Sequence, residues 1–150
     1  MNADTRELLA SHLIVDEGVV LHAYRDSLGY LTIGCGRLID KRKGGGITNA
    51  EALMLLQNDI ERHWTELIER FPWVLRLEPA RQAALANLAF NLGVPGLAKF
   101  VNTLGAIQSG AWSTAANGLR NSLWYRQVAK SRSERIIAMI VTGEFPEGPS

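Results

Sequence analysis

Residues 83–90 read Ala-Ala-Leu-Ala-Asn-Leu-Ala-Phe, apolar on every side of a helix except at Asn87. A helix without a polar face has to be surrounded by other elements, so this segment predicts a core helix wrapped by further helices. The rest of the chain supplies them. After Pro79 the apolar residues recur at helical spacing, which predicts helices over about 79–91, 95–100, 102–109, 112–120, 122–128 and 132–142. Breaks fall at Gly93, Pro95, Gly96, Gly105, Gly110 and Gly143. With 150 residues, 47% hydrophobic and 21% charged, the chain is long enough for one domain that buries most of its apolar surface.

Ahead of this helical region the pattern changes twice. Leu8, Leu9, His12, Leu13 and Val15 recur at three-to-four spacing and predict a helix over about 5–16, with Asp4 or Thr5 as its N-cap. Gly18 marks its stop and leaves Glu17 at the C-terminal end, where the negative end of the helix dipole raises a carboxyl pKa unless a cation intervenes. From Leu21 to Asp40 the period becomes two, a hairpin or small meander with its turn at Asp26-Ser27-Leu28-Gly29. Gly34 and Gly36 would lie on one strand face, open either to close approach by a backbone or ligand or to a kink in an edge strand. Lys41 to Gly46 reads as a flexible basic loop and a candidate hinge. Thr48-Asn49-Ala50-Glu51 has capping-box spacing and opens an amphipathic helix to about Glu69, ended by Pro72.

The expected fold class is therefore α+β. The tail from Glu144 to Ser150 is expected to be loosely held.

Sixteen Lys/Arg against fifteen Asp/Glu give a net charge of +1, so no strong field draws the chain to nucleic acid, and no nucleic-acid partner is expected. The balance is uneven: residues 1–75 carry 8 basic and 11 acidic side chains, residues 76–150 carry 8 and 4. Any basic surface belongs to the C-terminal half. One cysteine, Cys35, excludes an internal disulfide and a cysteine zinc site, and it reads as a small packed residue between two glycines. His12, His22 and His63 lack metal-ligand spacing and read as helix-face or surface residues; no metal or cofactor is expected. Trp64, Trp73, Trp112 and Trp124 read mostly as core. Polar and charged residues precede any apolar stretch at the N-terminus, unlike a signal peptide, and no apolar run approaches the roughly 18 residues needed to cross a bilayer. Synthesis in a reducing cytoplasm, no membrane insertion and a monomeric state are the expectations.

Three residues near the predicted turn carry the candidate chemistry: Glu17 at a helix end, Asp26 in the turn and Thr32 on the returning strand. A helix end feeding a hairpin can set two carboxyls on opposite sides of a groove. Glycosidic hydrolysis needs that arrangement, with one protonated acid for the leaving oxygen and one carboxylate to activate or stabilise on the other face. A hydroxyl beside the second carboxylate can help hold a water. On spacing alone, a helix-end glutamate in a surface ion pair, an Asp turn cap and a strand threonine account for the same residues.

Glu17-Gly18, Tyr24-Arg25-Asp26 and Gly29-Tyr30-Leu31-Thr32-Ile33-Gly34-Cys35-Gly36 together resemble the active-site signature of the phage-type (T-even-like) lysozymes, the endolysins of glycoside hydrolase family 24. The likeness extends over roughly residues 8–146, through Asn87 to Gly93, Gly96, Phe100, Asn102-Thr103, Trp112, Trp124-Tyr125, Gln127, Arg132, Arg135 and Thr142-Gly143. It implies a two-lobed lysozyme fold, with a small β lobe (about 21–47) and a larger helical lobe (about 1–20 plus 70–146) joined by a linking helix (about 48–69) and a cleft between the lobes, and an N-acetylmuramidase that cuts the β-1,4 bond between N-acetylmuramic acid and N-acetylglucosamine, with a peptidoglycan glycan strand as partner. The resemblance makes Glu17 the general acid, Asp26 the carboxylate that positions or activates water, and Thr32 its hydroxyl partner, with inversion as the outcome. Leu38, Phe90 and Thr103 match positions that line the family's saccharide cleft. Core packing is the ordinary alternative for the first two, and a helix N-cap for Thr103. Arg132 or Arg135 matches the basic residue near the acid; the spacing from Trp124 is one residue longer than usual, and both also suit a solvated surface.

Three departures accompany the likeness. Arg37 stands where histidine is common, Gly118 or its neighbour Asn117 falls where an asparagine often holds sugar, and the segment from Leu38 to Thr48 is short. The implied setting is synthesis in the cytoplasm of a bacterial host and action on the wall after release through a holin, although a tail-borne or secreted lysozyme would carry the same domain. A degenerate domain that binds glycan or a protein without cleaving is the alternative of another class.

Overall fold

The computed structural model describes residues 3–40 and 44–146. Lys41, Arg42 and Lys43 of the expected basic loop, and the last four residues of the tail, lie outside the described residues. The chain divides into two compact units, Met1–Met54 and Leu55–Ser150.

The first unit begins with helix α1, Ala3–Glu17. It already runs through Asp4 and Thr5, so neither stands at the N-cap position. Its end is as expected: Gly18 adopts φ +71° and donates its N–H to the Ile14 carbonyl at 3.0 Å, leaving Glu17 as the last helical residue. Only glycine takes that left-handed conformation without a steric penalty.

Three antiparallel strands follow in the order β1-β2-β3: β1 Val20–Arg25, β2 Leu31–Gly34 and β3 Arg37–Leu38. The meander is in register through Tyr24↔Thr32, Arg25↔Leu31, Thr32↔Leu38 and Ile33↔Arg37, with an irregularity in β1 between Val20 and Tyr24. Gly34 and Gly36 do not alternate along one strand. Gly34 ends β2, Gly36 lies in the turn to β3, and both have positive φ, +68° and +75°. That turn also corrects the reading of Cys35 as packed, because the residue is exposed.

The described part of the glycine segment is tied down. Gly45 donates to the Asp40 carbonyl at 3.1 Å and Gly46 to the Leu38 carbonyl at 2.8 Å. A Cβ at Gly45 would lie 2.5 Å from the Leu38 carbonyl oxygen, so close approach of two backbones requires a glycine there. Helix α2, Asn49–Arg70, then starts with the predicted capping box: Glu51 N–H donates to Thr48 Oγ1 at 3.2 Å and Thr48 N–H to Glu51 Oε2 at 2.7 Å. Arg37 Nη2 and Nη1 grip the two Glu51 oxygens at 2.7 and 3.2 Å, and Nη1 also donates to the Gly46 carbonyl at 3.1 Å.

In the second unit a 3₁₀ turn, Pro72–Arg76, leads to α3 Pro79–Leu92, α4 Val94–Leu97, α5 Val101–Gln108, α6 Trp112–Arg120, α7 Leu123–Gln127 and α8 Lys130–Thr142. The expected core helix is α3; it packs on α4 and α8, while α6 packs on α5 and α8. Leu85, Leu88, Ile107, Leu119, Ile136 and Ile140 are fully buried among them. Each such side chain contributes roughly 1.5–3 kcal/mol by leaving water. Two features of α3 depart from the sequence pattern. Phe90 and Asn91 at its end are exposed, and Arg81 near its start is buried. The protein is thus mainly helical with a small antiparallel sheet, an α+β fold.

Candidate active site

Within the first unit the local sequence positions each candidate residue. Glu17 ends α1, and its carboxyl lies over the β2–β3 turn: a Cβ at Gly36 would meet Glu17 Oε2 at 3.0 Å, Cδ at 3.3 Å and Cγ at 3.6 Å. Asp26 is held by the hairpin itself. Its Oδ1 accepts the Leu28 and Tyr30 N–H groups at 2.9 and 2.8 Å, an Asx turn, while its own N–H donates to the Tyr30 carbonyl at 2.9 Å. Arg25 Nη1 donates to the Gly29 carbonyl at 2.8 Å and closes the same turn from outside. The carboxylate is fixed through one oxygen, and Oδ2 takes no hydrogen bond from the described residues.

Thr32 is only 2% exposed and sits in mid-sheet, opposite Tyr24 on one side and Leu38 on the other. Its hydroxyl donates to the Tyr30 carbonyl at 3.1 Å. With its proton committed, the oxygen keeps lone pairs that can accept from a water. Leu38 is half-buried in β3.

In the second unit Phe90 and Arg132 come together with Asn87. They line a groove of about 440 Å³ with Leu56, Ile60 and His63. Phe90 is 38% exposed and its ring tilts against His63 at 5.3 Å, so it is not an ordinary core side chain. Arg132 donates from Nε and Nη2 to Asn87 Oδ1 at 3.1 and 2.7 Å, which anchors the guanidinium on α3. Arg135 is exposed on α8. Thr103 is buried inside α5, whose N-cap position is Phe100, so the N-cap alternative is wrong. A Cβ at Gly118 would collide with Thr103 Oγ1, which explains a glycine there; Asn117 beside it is exposed.

Two residues were under-read from sequence. Asn87 was visible as the polar exception in an apolar helix, and the structure shows it as the acceptor for Arg132. His63 read as a helix-face or surface histidine, yet it is half-buried with an Nδ1 that lacks a hydrogen-bond partner among the described residues. No sequence signal marked it. Among the described residues no cluster of three or more His, Cys, Asp or Glu could hold a metal ion.

A family profile described as phage lysozyme matches residues 15–135, from the end of α1 into α8. The chain belongs to the phage lysozyme family. It is a family of glycoside hydrolases, and the match spans Glu17, Asp26, Thr32, Leu38, Phe90, Thr103 and Arg132. "Probable T4-type lysozyme 1" of Dictyostelium discoideum is 31% identical over 155 aligned positions, covering 85% of this chain and 90% of that protein. "Probable T4-type lysozyme 2" of the same organism is also 31% identical, over 169 positions, covering 93% of this chain and 96% of that protein. The pre-baseplate central spike protein of Enterobacteria phage T4 is 35% identical over 162 positions. That alignment takes in 91% of this chain but only 28% of the spike protein.

Proposed function

We propose that the protein hydrolyses the β-1,4 bond between N-acetylmuramic acid and N-acetylglucosamine in peptidoglycan, with Glu17 as general acid and Asp26, assisted by Thr32, as the carboxylate that activates water. The observation that carries this reading is that the first unit holds Asp26 in its hairpin turn and Glu17 at the end of α1, in a chain of the phage lysozyme family. Glu17, protonated, gives its proton to the glycosidic oxygen as the C1–O bond breaks. A water bonded to Asp26 and to the Thr32 oxygen attacks C1 from the opposite face and passes a proton to Asp26, which inverts the anomeric centre. The Asx turn aids this by holding one carboxylate oxygen so that the other is presented in a fixed direction. Leu38, Phe90 and Thr103 serve glycan binding in this reading.

Purified sacculi provide the test. The protein should release reducing ends, with the α-anomer forming first by proton NMR, and Glu17→Gln should lower the rate by roughly 10²-fold or more. Undiminished activity of Glu17→Gln sinks the assignment. Binding to sacculi without reducing ends would favour the non-cleaving alternative. For setting, our reading is synthesis in a bacterial host's cytoplasm and release through a holin, which requires lysis of expressing cells to depend on a co-expressed holin. The similarity to a phage spike protein favours a virion-borne setting as the second reading, distinguished by finding the chain in purified particles.

A further inference from the structure

The glycines of the β2–β3 turn are not equivalent. Gly34 and Gly36 have nearly the same backbone, φ +68° and +75°, but a Cβ at Gly34 would meet nothing within 4 Å, whereas one at Gly36 would touch three consecutive side-chain atoms of Glu17. The left-handed backbone alone explains a glycine at either position. The contact distinguishes them. A 3.0 Å approach from Cβ to Oε2 is tighter than ordinary van der Waals contact, so a side chain at 36 would displace the Glu17 carboxyl.

The backbone at Gly36 also has little room to retreat. On one side Ile33 pairs with Arg37 and Thr32 with Leu38 across the β2–β3 ladder. On the other, Arg37 is gripped by both Glu51 oxygens and donates to the Gly46 carbonyl, fastening the start of β3 to the first turn of α2. The turn is thus tied on both sides, by the strand ladder and by a partly exposed ion pair, and the more flexible partner in the contact is the glutamate.

We propose that Gly36 is a positioning residue. Its bare backbone, held in place by the Arg37–Glu51 pair, is the surface against which the Glu17 carboxyl is set, and the absence of a side chain there fixes where the acid stands. This rests on the reading of Glu17 as general acid. An acid displaced by a few tenths of an ångström misaligns proton transfer while leaving glycan binding largely intact, so the loss belongs in kcat rather than KM.

The test is a matched pair. Gly34→Ala and Gly36→Ala suffer the same left-handed strain and should lower Tm by similar amounts, but only Gly36→Ala should lower kcat on soluble glycan oligomers, by about tenfold with KM within about twofold. In a Glu17→Gln background, Gly36→Ala should have no further effect, because no acid remains to be moved. The Glu17 side-chain carboxyl ¹³C shift gives a readout independent of catalysis: it should move in Gly36→Ala and stay in Gly34→Ala. Should Gly36→Ala fail to fold, Arg37→Ala releases the same turn and should perturb that resonance and reduce kcat. Equal kcat in the two alanine variants with an unmoved Glu17 resonance overturns the proposal. Full activity in Glu17→Gln with the resonance moved in Gly36→Ala would instead leave the contact standing and refute the assignment of the acid.

Discussion

Replacing Arg81 by methionine should be among the most damaging single changes in the helical unit. Arg81 is 6% exposed, and its Nε and Nη2 donate to the carbonyls of Ile140 and Val141 at 2.8 and 3.1 Å. Those carbonyls belong to the last turn of α8, which has no intrahelical donors for them and carries the negative end of the dipole. The guanidinium also lies 3.7 Å from the Trp112 ring centroid and pairs with Glu78. Two hydrogen bonds from a charged donor contribute about 1.5–3 kcal/mol each and the stacking about 1 kcal/mol. Methionine keeps the aliphatic stem and part of the packing, so a net loss of about 3–5 kcal/mol is expected. The Glu78 pair adds little, because that carboxylate's side chain is 55% exposed. All four tryptophans lie beyond residue 54, so their fluorescence reports the unfolding of this unit. The melting midpoint should fall by roughly 10–15 °C in Arg81→Met and by a small fraction of that in Glu78→Gln. Arg81→Lys should fall between, since it retains charge near the helix end but cannot reach both carbonyls. If Arg81→Met melts no lower than Glu78→Gln, capping of α8 by Arg81 is not what stabilises this end of the helix.

Glu134 has a pKa lowered from 4.5 to about 2, first by its hydrogen bond from Arg120 and then by that from Tyr125. A depressed carboxyl pKa stabilises the fold above the unfolded value, and that contribution is lost as pH falls from about 4.5 towards 2; a carboxyl ¹³C titration should show Arg120→Ala raising the midpoint more than Tyr125→Phe. Gly118→Ala should cost about 1–3 kcal/mol in urea denaturation through its clash with Thr103 Oγ1, and Thr103→Ala should relieve part of that cost, so the pair is non-additive. Thr48→Ala removes the hydroxyl that accepts the Glu51 N–H and should lower stability by about 1 kcal/mol, with amide exchange accelerated first at the start of α2.

What could be read from sequence divides by the range of the forces involved. Helix ends at Glu17, Leu92 and Thr142 were legible because the adjacent Gly18, Gly93 and Gly143 stop helices by local backbone geometry. Asp26 was legible as a turn residue for the same reason, since its bonds reach only to Leu28 and Tyr30. Cys35 was misread because glycines two apart imitate a strand period; the pair at 34 and 36 is instead a left-handed turn that turns the cysteine out to solvent. The triple glycine was read as looseness because composition does not reveal that the Leu38 carbonyl comes back within 2.5 Å of where a Gly45 side chain would begin. Arg81 was hidden most completely. Its carbonyl partners lie 59 and 60 residues along the chain, and a charged residue in the first turn of a helix gives no hint of them.

The same division bears on how the two halves should respond to mutation. The hydrogen bonds recorded for Asp26 close within five residues, and Thr32 donates two residues back, so the arrangement of both is written into the hairpin itself. The helical unit depends on partners far apart in sequence: Arg81 with the end of α8, Asn87 with Arg132, and Asn91 with the Trp124 indole at 2.9 Å. Substitutions at those long-range pairs should therefore lower melting temperature and leave the Asp26 turn amides, Leu28 and Tyr30, unshifted in an NMR spectrum. Substitutions inside the turn should do the reverse. Ser27→Pro, for example, should move both amides while changing the tryptophan-reported midpoint little. A turn that shifted with every helical-lobe substitution would mean that Asp26 is held by the fold as a whole rather than by the residues on either side of it.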